Sequence, residues 1–190
     1  LTTGDDNTSV GHQAGYGITT GEDNIAIGKN AMLVHTTGLR NTAVGTNAMD
    51  DTNAGSTSLG SHDNVFMGFD AGGGTWADAA SNFNIGIGSY TLDAAMNGAL
   101  NNIAIGHIAL SAITTGDNNI GIGSEAGTAI TTGLKNIIMG VAAGKGLVGG
   151  SSNVAVGHNA LYTEDGHGQN IAIGDSALFT LNAGAQGNNV

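Results

Sequence analysis

One short phrase recurs along this chain: Asn, an apolar residue, a small one, a second apolar one, Gly, and then Ala three residues on. It reads "NIAIGKNAM" from Asn24 and "NVAVGHNAL" from Asn153. Anchored on its Asn, the phrase starts at Asn7, Asn24, Asn41, Asn64, Asn84, Asn102, Asn119, Asn136, Asn153 and Asn170, and opens again at Asn189. Six of the ten steps between anchors are 17 residues, and the longest, 23, contains a degenerate copy at Ser56–Gly60. Repetition at a fixed period is the signature of stacked repeats, and it restricts the fold before any single residue does.

The columns of the repeat carry local structure. Gly stands four residues after every anchor, as at Gly28, Gly45, Gly106, Gly140, Gly157 and Gly174, and Ala stands seven after in nine of ten copies, Ala31 among them. Seventeen residues are too few for a pair of helices, whose repeats start at about 33. "NIAIG" alternates with period two, a strand signal. The recurrent "TTG" is a turn signal. The expected fold is all-β: a repetitive parallel β-roll or β-solenoid of ten rungs, about 17 residues each. It forms a single unit over residues 1–190, with inserted loops around 50–63 and 69–83.

Within a rung, Ile25 and Ile27 are expected to fill the interior, and the small residue between them to face outward, where a sister chain packs. Ala26, Ala43, Gly86 and Ala104 hold that middle position, with Phe66 and Ile138 as exceptions. The Gly column turns the backbone or lets neighbouring backbones approach. Anchors such as Asn24, Asn41, Asn102, Asn136, Asn153 and Asn170 are expected to hydrogen-bond along the stack, as in cross-β Asn ladders. The chain starts inside a repeat and stops as another opens, so a piece of a longer shaft is expected.

Composition narrows the function. Charged residues make up 10% of the chain, against about 25% in an average soluble protein. Such a chain either has a polar uncharged surface or hides surface against copies of itself. Four Lys plus Arg against fifteen Asp plus Glu give a net charge of −11. There is no basic patch to release counterions, which argues against nucleic acid as a partner and against an anionic membrane surface. No apolar run approaches the roughly 18 residues of a membrane span. Without Cys there is no disulfide framework.

The phrases "NIAIGKNAM…TTG", "NIAIGHIALSAITTGDNN" and "NVAVGHNAL" resemble the repeats of bacteriophage tail fibres, and also the "NSVAIG" repeats of trimeric autotransporter adhesin heads. The resemblance covers nearly the whole chain. It implies a homotrimer of left-handed parallel β-rolls; neither handedness nor threefold symmetry is read from spacing. The 17-residue period with "TTG" leans toward the tail-fibre form, which places the chain in a virion tail or otherwise outside the cell. The bacterial cell surface is the alternative location.

Local motifs add little chemistry. "GVAAGKG" at Gly140–Gly146 has three residues, not four, before Gly-Lys and no hydroxyl after it, so it reads as repeat rather than phosphate loop. His12, His107 and His158 share the column after the turn Gly, and His167 lies beyond them. They read as polar turn residues. Asp5, Asp6, Glu22 and Asp23 stack on neighbouring rungs, where repulsion could draw in Ca²⁺, although the calcium-binding nonapeptide is absent. Asp63 and Asp117 lie in the same return turn.

No pair of carboxylates and no Ser-His-Asp pattern marks a catalytic centre, and an enzyme is the least supported class. The insertion zone Asp50–Phe83 breaks the rhythm and holds the one Trp and three of four Phe. Loops on rigid scaffolds often carry function. Trp76, Phe69, Phe83 and Asp78 are therefore the candidate receptor or glycan contacts, with Trp76 read as an exposed sugar-stacking ring or, alternatively, as filler for a gap in the stack. The expected function is a non-enzymatic tail-fibre segment that spaces or presents host-receptor binding. A bacterial adhesin head and, less well supported, an ice-binding solenoid are the alternatives; in the latter the "TTG" column is interrupted by "NAG" and "MNG".

Overall fold

A computed structural model of the chain describes residues 4–52, 60–163 and 166–180. The ends at Leu1 and Asn189, and Ser56–Leu59 of the degenerate copy, lie outside the described residues, as does part of the expected 50–63 loop. Ten three-residue strands form one parallel sheet in chain order. They are β1 Thr8–Val10, β2 Ile25–Ile27, β3 Thr42–Val44, β4 Val65–Met67, β5 Ile85–Ile87, β6 Ile103–Ile105, β7 Ile120–Ile122, β8 Ile137–Met139, β9 Val154–Val156 and β10 Ile171–Ile173. Each strand lies on the corresponding strand of the next repeat, so Ile103, Ala104 and Ile105 pair with Ile120, Gly121 and Ile122. The long step changes nothing in this register: Thr42 still pairs with Val65. The repeat is thus a β-solenoid, one turn per copy.

The strands face the opposite way from the sequence expectation. Ala26 is wholly buried, while Ile25 and Ile27 remain 39% and 38% exposed. The middle residue is buried in every strand from β2 to β10, Phe66 and Ile138 included. Interior width is the physical reason. The coil's inner space is shared between the middle strand residue and the residue six positions later, and in most turns their volumes trade off; in the β7 turn both are Gly, Gly121 and Gly127, and Leu110 of the preceding turn packs against them. Ala26 goes with Met32, Ala43 with Met49, Gly86 with Leu92 and Ala104 with Leu110, all buried. Where the strand residue is large, the partner is Gly: Phe66 with Gly72, Ile138 with Gly144. A β-carbon on Gly72 would lie 2.8 Å from Phe66 Cδ1, and one on Gly144 would lie 3.0 Å from Ile138 Cδ1. Such jigsaw filling is how interiors reach crystal-like density.

A third inner column comes from the return half of each turn, where Ile18, Met96, Ile113, Ile130 and Leu147 are buried. Between these apolar columns runs a ladder of buried Asn. The backbone and side-chain amides of Asn119 donate to Asn102 Oδ1 at 3.0 and 3.1 Å, and Asn119 Nδ2 also donates to the Gly133 carbonyl at 2.8 Å. The same pattern links Asn7 through Asn24, Asn41, Asn64, Asn84, Asn102, Asn119, Asn136 and Asn153 to Asn170. Buried amides are tolerable only when satisfied in this way.

The Gly column has two causes at once. Gly28 has φ of +129°, and a β-carbon there would sit 2.4 Å from the Gly45 carbonyl oxygen one turn on. Other corners put ordinary residues in the left-handed region: Lys135, Ile108 and Leu110 have φ of 58°, 51° and 48°. Stacking holds these residues where sterics alone would disfavour them.

Candidate interaction surfaces

The outward residues of the strands make the largest coherent surface feature. The residues one and three after each anchor form two parallel apolar columns. One runs Ile25, Thr42, Val65, Ile85, Ile103, Ile120, Ile137, Val154, Ile171; the other runs Ile27, Val44, Met67, Ile87, Ile105, Ile122, Met139, Val156, Ile173. All are exposed or half-buried, and none carries a charge. Alternation along a strand forces this arrangement, because turning the small middle residue inward turns both neighbours outward.

The inserted loop behaves differently from the sequence expectation at its most conspicuous residue. Trp76 is wholly buried, its ring 5.9 Å from that of Phe66 in an edge-on contact. Its backbone N–H donates to the Asp51 carbonyl, while its indole Nε1 is buried and has no hydrogen-bond partner among the described residues. It cannot stack on a sugar; it fills the interior slot that Met96 and Ile113 occupy in later turns. Phe69, Phe83 and Asp78 are exposed, the two rings at 43% and 50%. They do not converge: Phe83 meets His62 edge-on at 5.3 Å, whereas Phe69 meets Tyr90 at 5.3 Å, and Tyr90 in turn meets His107 at 6.2 Å.

Three groups of charged side chains shift one another's protonation or pair directly. Asp63 takes a two-point ion pair from Arg40, at 2.7 and 2.9 Å, and a contact from His62 Nδ1 at 2.7 Å. The Arg40 hydrogen bond, with His62 helping, holds its carboxyl down at about 2. Lys145 pairs with Glu125 and lies over the Tyr162 ring. In the third group Asp50, Asp70 and Asp93 sit on three consecutive turns, and the missing side chain of Gly73 leaves Asp50 Oδ1 3.3 Å from where a β-carbon would be. Burial first, then the neighbouring Asp70, pushes both Asp50 and Asp93 up to about 6. The only sequence signal for this trio is that they stand six or nine residues after three successive anchors.

Asp5, Asp6, Glu22 and Asp23 lie exposed on neighbouring turns, with the Asp23 N–H donating to the Asp5 carbonyl at 3.2 Å. Among the described residues no group of three or more His, Asp or Glu is arranged to hold a metal ion. His12, His107 and His158 are exposed, and His158 Nδ1 contacts Asp175 at 3.0 Å. The first Thr of several "TTG" turns points along the stack: Thr19, Thr114 and Thr131 donate to carbonyls one repeat on.

His35, which the sequence did not single out, is fully buried in the inner column of the return half, one turn before Thr52 and in line with Ile18, Ile113, Ile130 and Leu147. Its Nε2 faces Asn41 Nδ2 at 3.0 Å and its Nδ1 faces Thr52 Oγ1 at 2.8 Å. An amide nitrogen only donates, so Nε2 accepts and the proton sits on Nδ1. Burial lowers its pKa to about 4.

No family model matches the chain, and neither does any curated protein or solved structure.

Proposed function

We propose that this chain is a structural, non-enzymatic shaft segment of a phage tail fibre, a homotrimer in the virion tail that spaces or presents contact with a host-surface receptor. A bacterial surface adhesin head is the other setting in which the same shaft serves. The carrying observation is the unbroken ten-strand stack with its continuous Asn ladder. At about 4.8 Å per strand, ten layers make a rod roughly 45–50 Å long. A stack in which every layer is hydrogen-bonded to the next transmits position and load rather than closing a pocket around a substrate. Phe69, Phe83 and Asp78 support a receptor-facing or glycan-facing role for the inserted segment, since the two rings present apolar area beside polar groups. Trp76 takes no part in it.

Sedimentation equilibrium on the purified chain tests the assembly: the expected mass is three times 18.7 kDa. A monodisperse species of one chain overturns the reading. Binding of the labelled chain to host cells, lost on Phe69→Ala with Phe83→Ala and on enzymatic removal of surface glycan, tests the attachment role.

A further inference from the structure

We propose that the two outward apolar columns of the strand face are where a second copy of this chain docks; the inference rests on the shaft reading above and specifies the surface it uses. Three observations carry it. The first is extent. Eighteen outward strand residues from β2 to β10, most of them Ile, Val or Met, expose on the order of 1,000 Å² per chain, well above the few hundred Å² that monomers leave in one patch. Among the described residues no other strand or loop covers them, and an area of that size buried on each of two partners exceeds a standard interface.

The second observation is charge. The face has no ionisable side chain along β1 to β10, in a chain with a net charge of −11. A membrane or nucleic-acid partner would need flanking cations, and there are four Lys plus Arg in the whole sequence. Two copies brought together through this face desolvate no charge, so the usual penalty for a buried unpaired ion does not arise.

The third observation is pitch. The ridges of the face repeat once per strand, at about 4.8 Å. Side chains interdigitate over nine layers only with a partner ridged at the same spacing, and a second copy of this solenoid has that spacing by construction. A partner of ordinary globular surface would lose register within a few layers. The substitutions that break uniformity, Thr42 and the larger Met67 and Met139, favour one vertical alignment over slips by a single turn.

The chain has no Cys, so single thiols report cleanly. Ile105 lies in β6, near mid-stack, and meets its counterpart whether the copies run parallel or antiparallel. Ile105→Cys treated with a short bis-maleimide is expected to give covalently joined chains, and Thr132→Cys, exposed in the return turn, to give none. Ile105→Glu with Ile122→Glu is expected to drop the mass to a single chain while far-ultraviolet circular dichroism stays β-type. If the wild type is multimeric, the Glu pair leaves it so and Thr132→Cys cross-links instead, the face is wrong and the shaft reading stands. A wild-type chain that is monomeric overturns both. A dimer that Ile105→Cys cross-links and the Glu pair dissociates upholds the face and overturns the threefold assembly.

Discussion

The inward assignment of the strand's middle residue can be tested by a volume exchange at β8. Ile138 and Gly144 share one interior space, and the next turn fills the same space with Ala155 and Leu161. Ile138→Ala removes three buried carbons from a fully buried side chain. At about 0.8 kcal/mol per carbon for transfer, plus a cavity term, the loss is about 3–4 kcal/mol. Gly144→Leu alone drives a side chain toward Ile138 Cδ1, which already lies 3.0 Å from where the new β-carbon would stand. Overpacking and the left-handed backbone together cost about 3 kcal/mol.

Made together, the two changes recreate the Ala/Leu pairing of the next turn. The residual cost is then the backbone term, about 1 kcal/mol, since Leu161 itself has φ of 52°. Independent sites would give about 6 kcal/mol for the pair, so the cycle has a coupling near 5. Urea unfolding followed by circular dichroism, at one fixed protein concentration because assembly shifts apparent stability, reads it out. Additive single effects, or Ile138→Ala within 0.5 kcal/mol of wild type, would falsify the inward placement. The second of these results is what an outward Ile138 predicts.

The interior also sets a pH dependence. His35 has its folded pKa lowered to about 4 from 6.5, so its contribution is present above 6.5 and is lost as pH falls through 4, by about 3 kcal/mol; His35→Ile is expected to flatten that slope in acid titrations of unfolding. Asp50 and Asp93 act in the opposite direction, because a pKa raised to about 6 stabilises fully below 3.8 and ceases to as pH rises through 6. Both are half-exposed, so after discounting for solvent screening Asp50→Asn and Asp93→Asn should each raise stability at pH 8 by under about 1 kcal/mol and leave it unchanged at pH 3.5. Asn119→Ala removes one ladder member: it orphans the Gly133 carbonyl and the Asn136 backbone N–H, and takes one of two partners from Asn102 Oδ1, which keeps the residue-119 N–H, and from Asn136 Nδ2, which keeps the Gly150 carbonyl; the expected loss is about 3 kcal/mol in the same unfolding assay, against under about 0.5 for the exposed Thr132→Ala.

The period, the strand positions and the Asn ladder were legible because each depends on a column repeated ten times. Facing was misread because a strand's two sides differ by one residue, and hydrophobicity alone assigned Ile25 and Ile27 to the core. The discriminating signal was in the sequence: the two copies with a large middle residue, Phe66 and Ile138, are copies with Gly six positions later. Correlated volumes mark an enclosed space, whereas a merely apolar column does not. Trp76 escaped for a related reason. A 20-residue step shifts it to twelve residues past its anchor, so it lines up with the buried Ile113 and Leu147 only after the insertion is discounted. Asp50, Asp70 and Asp93 were illegible because stacking, not sequence proximity, brings them together, and His35 because a polar pair, His35 and Thr52, in an otherwise apolar column has no periodicity to announce it.

The inverted facing changes what stability and assembly have to do with one another. A solenoid turn of this size encloses too little space for two further columns of Ile beside its inner Met, Leu and Ile, so it puts mostly Ala and Gly at the strand's inner position, satisfies the middle with amides, and leaves two columns of Ile, Val and Met partly exposed. A sizeable apolar area is therefore left unburied in one chain, and an object of equal pitch is what could bury it along its whole length. On the docking proposal, the same residues that interior packing excludes supply the energy of association, and unfolding would depend steeply on chain concentration. The inner ladder fixes the height of each layer and hence the spacing of the outer ridges. A disruption such as Asn119→Ala would then weaken association as well as folding, although Asn119 is wholly buried and cannot touch a partner.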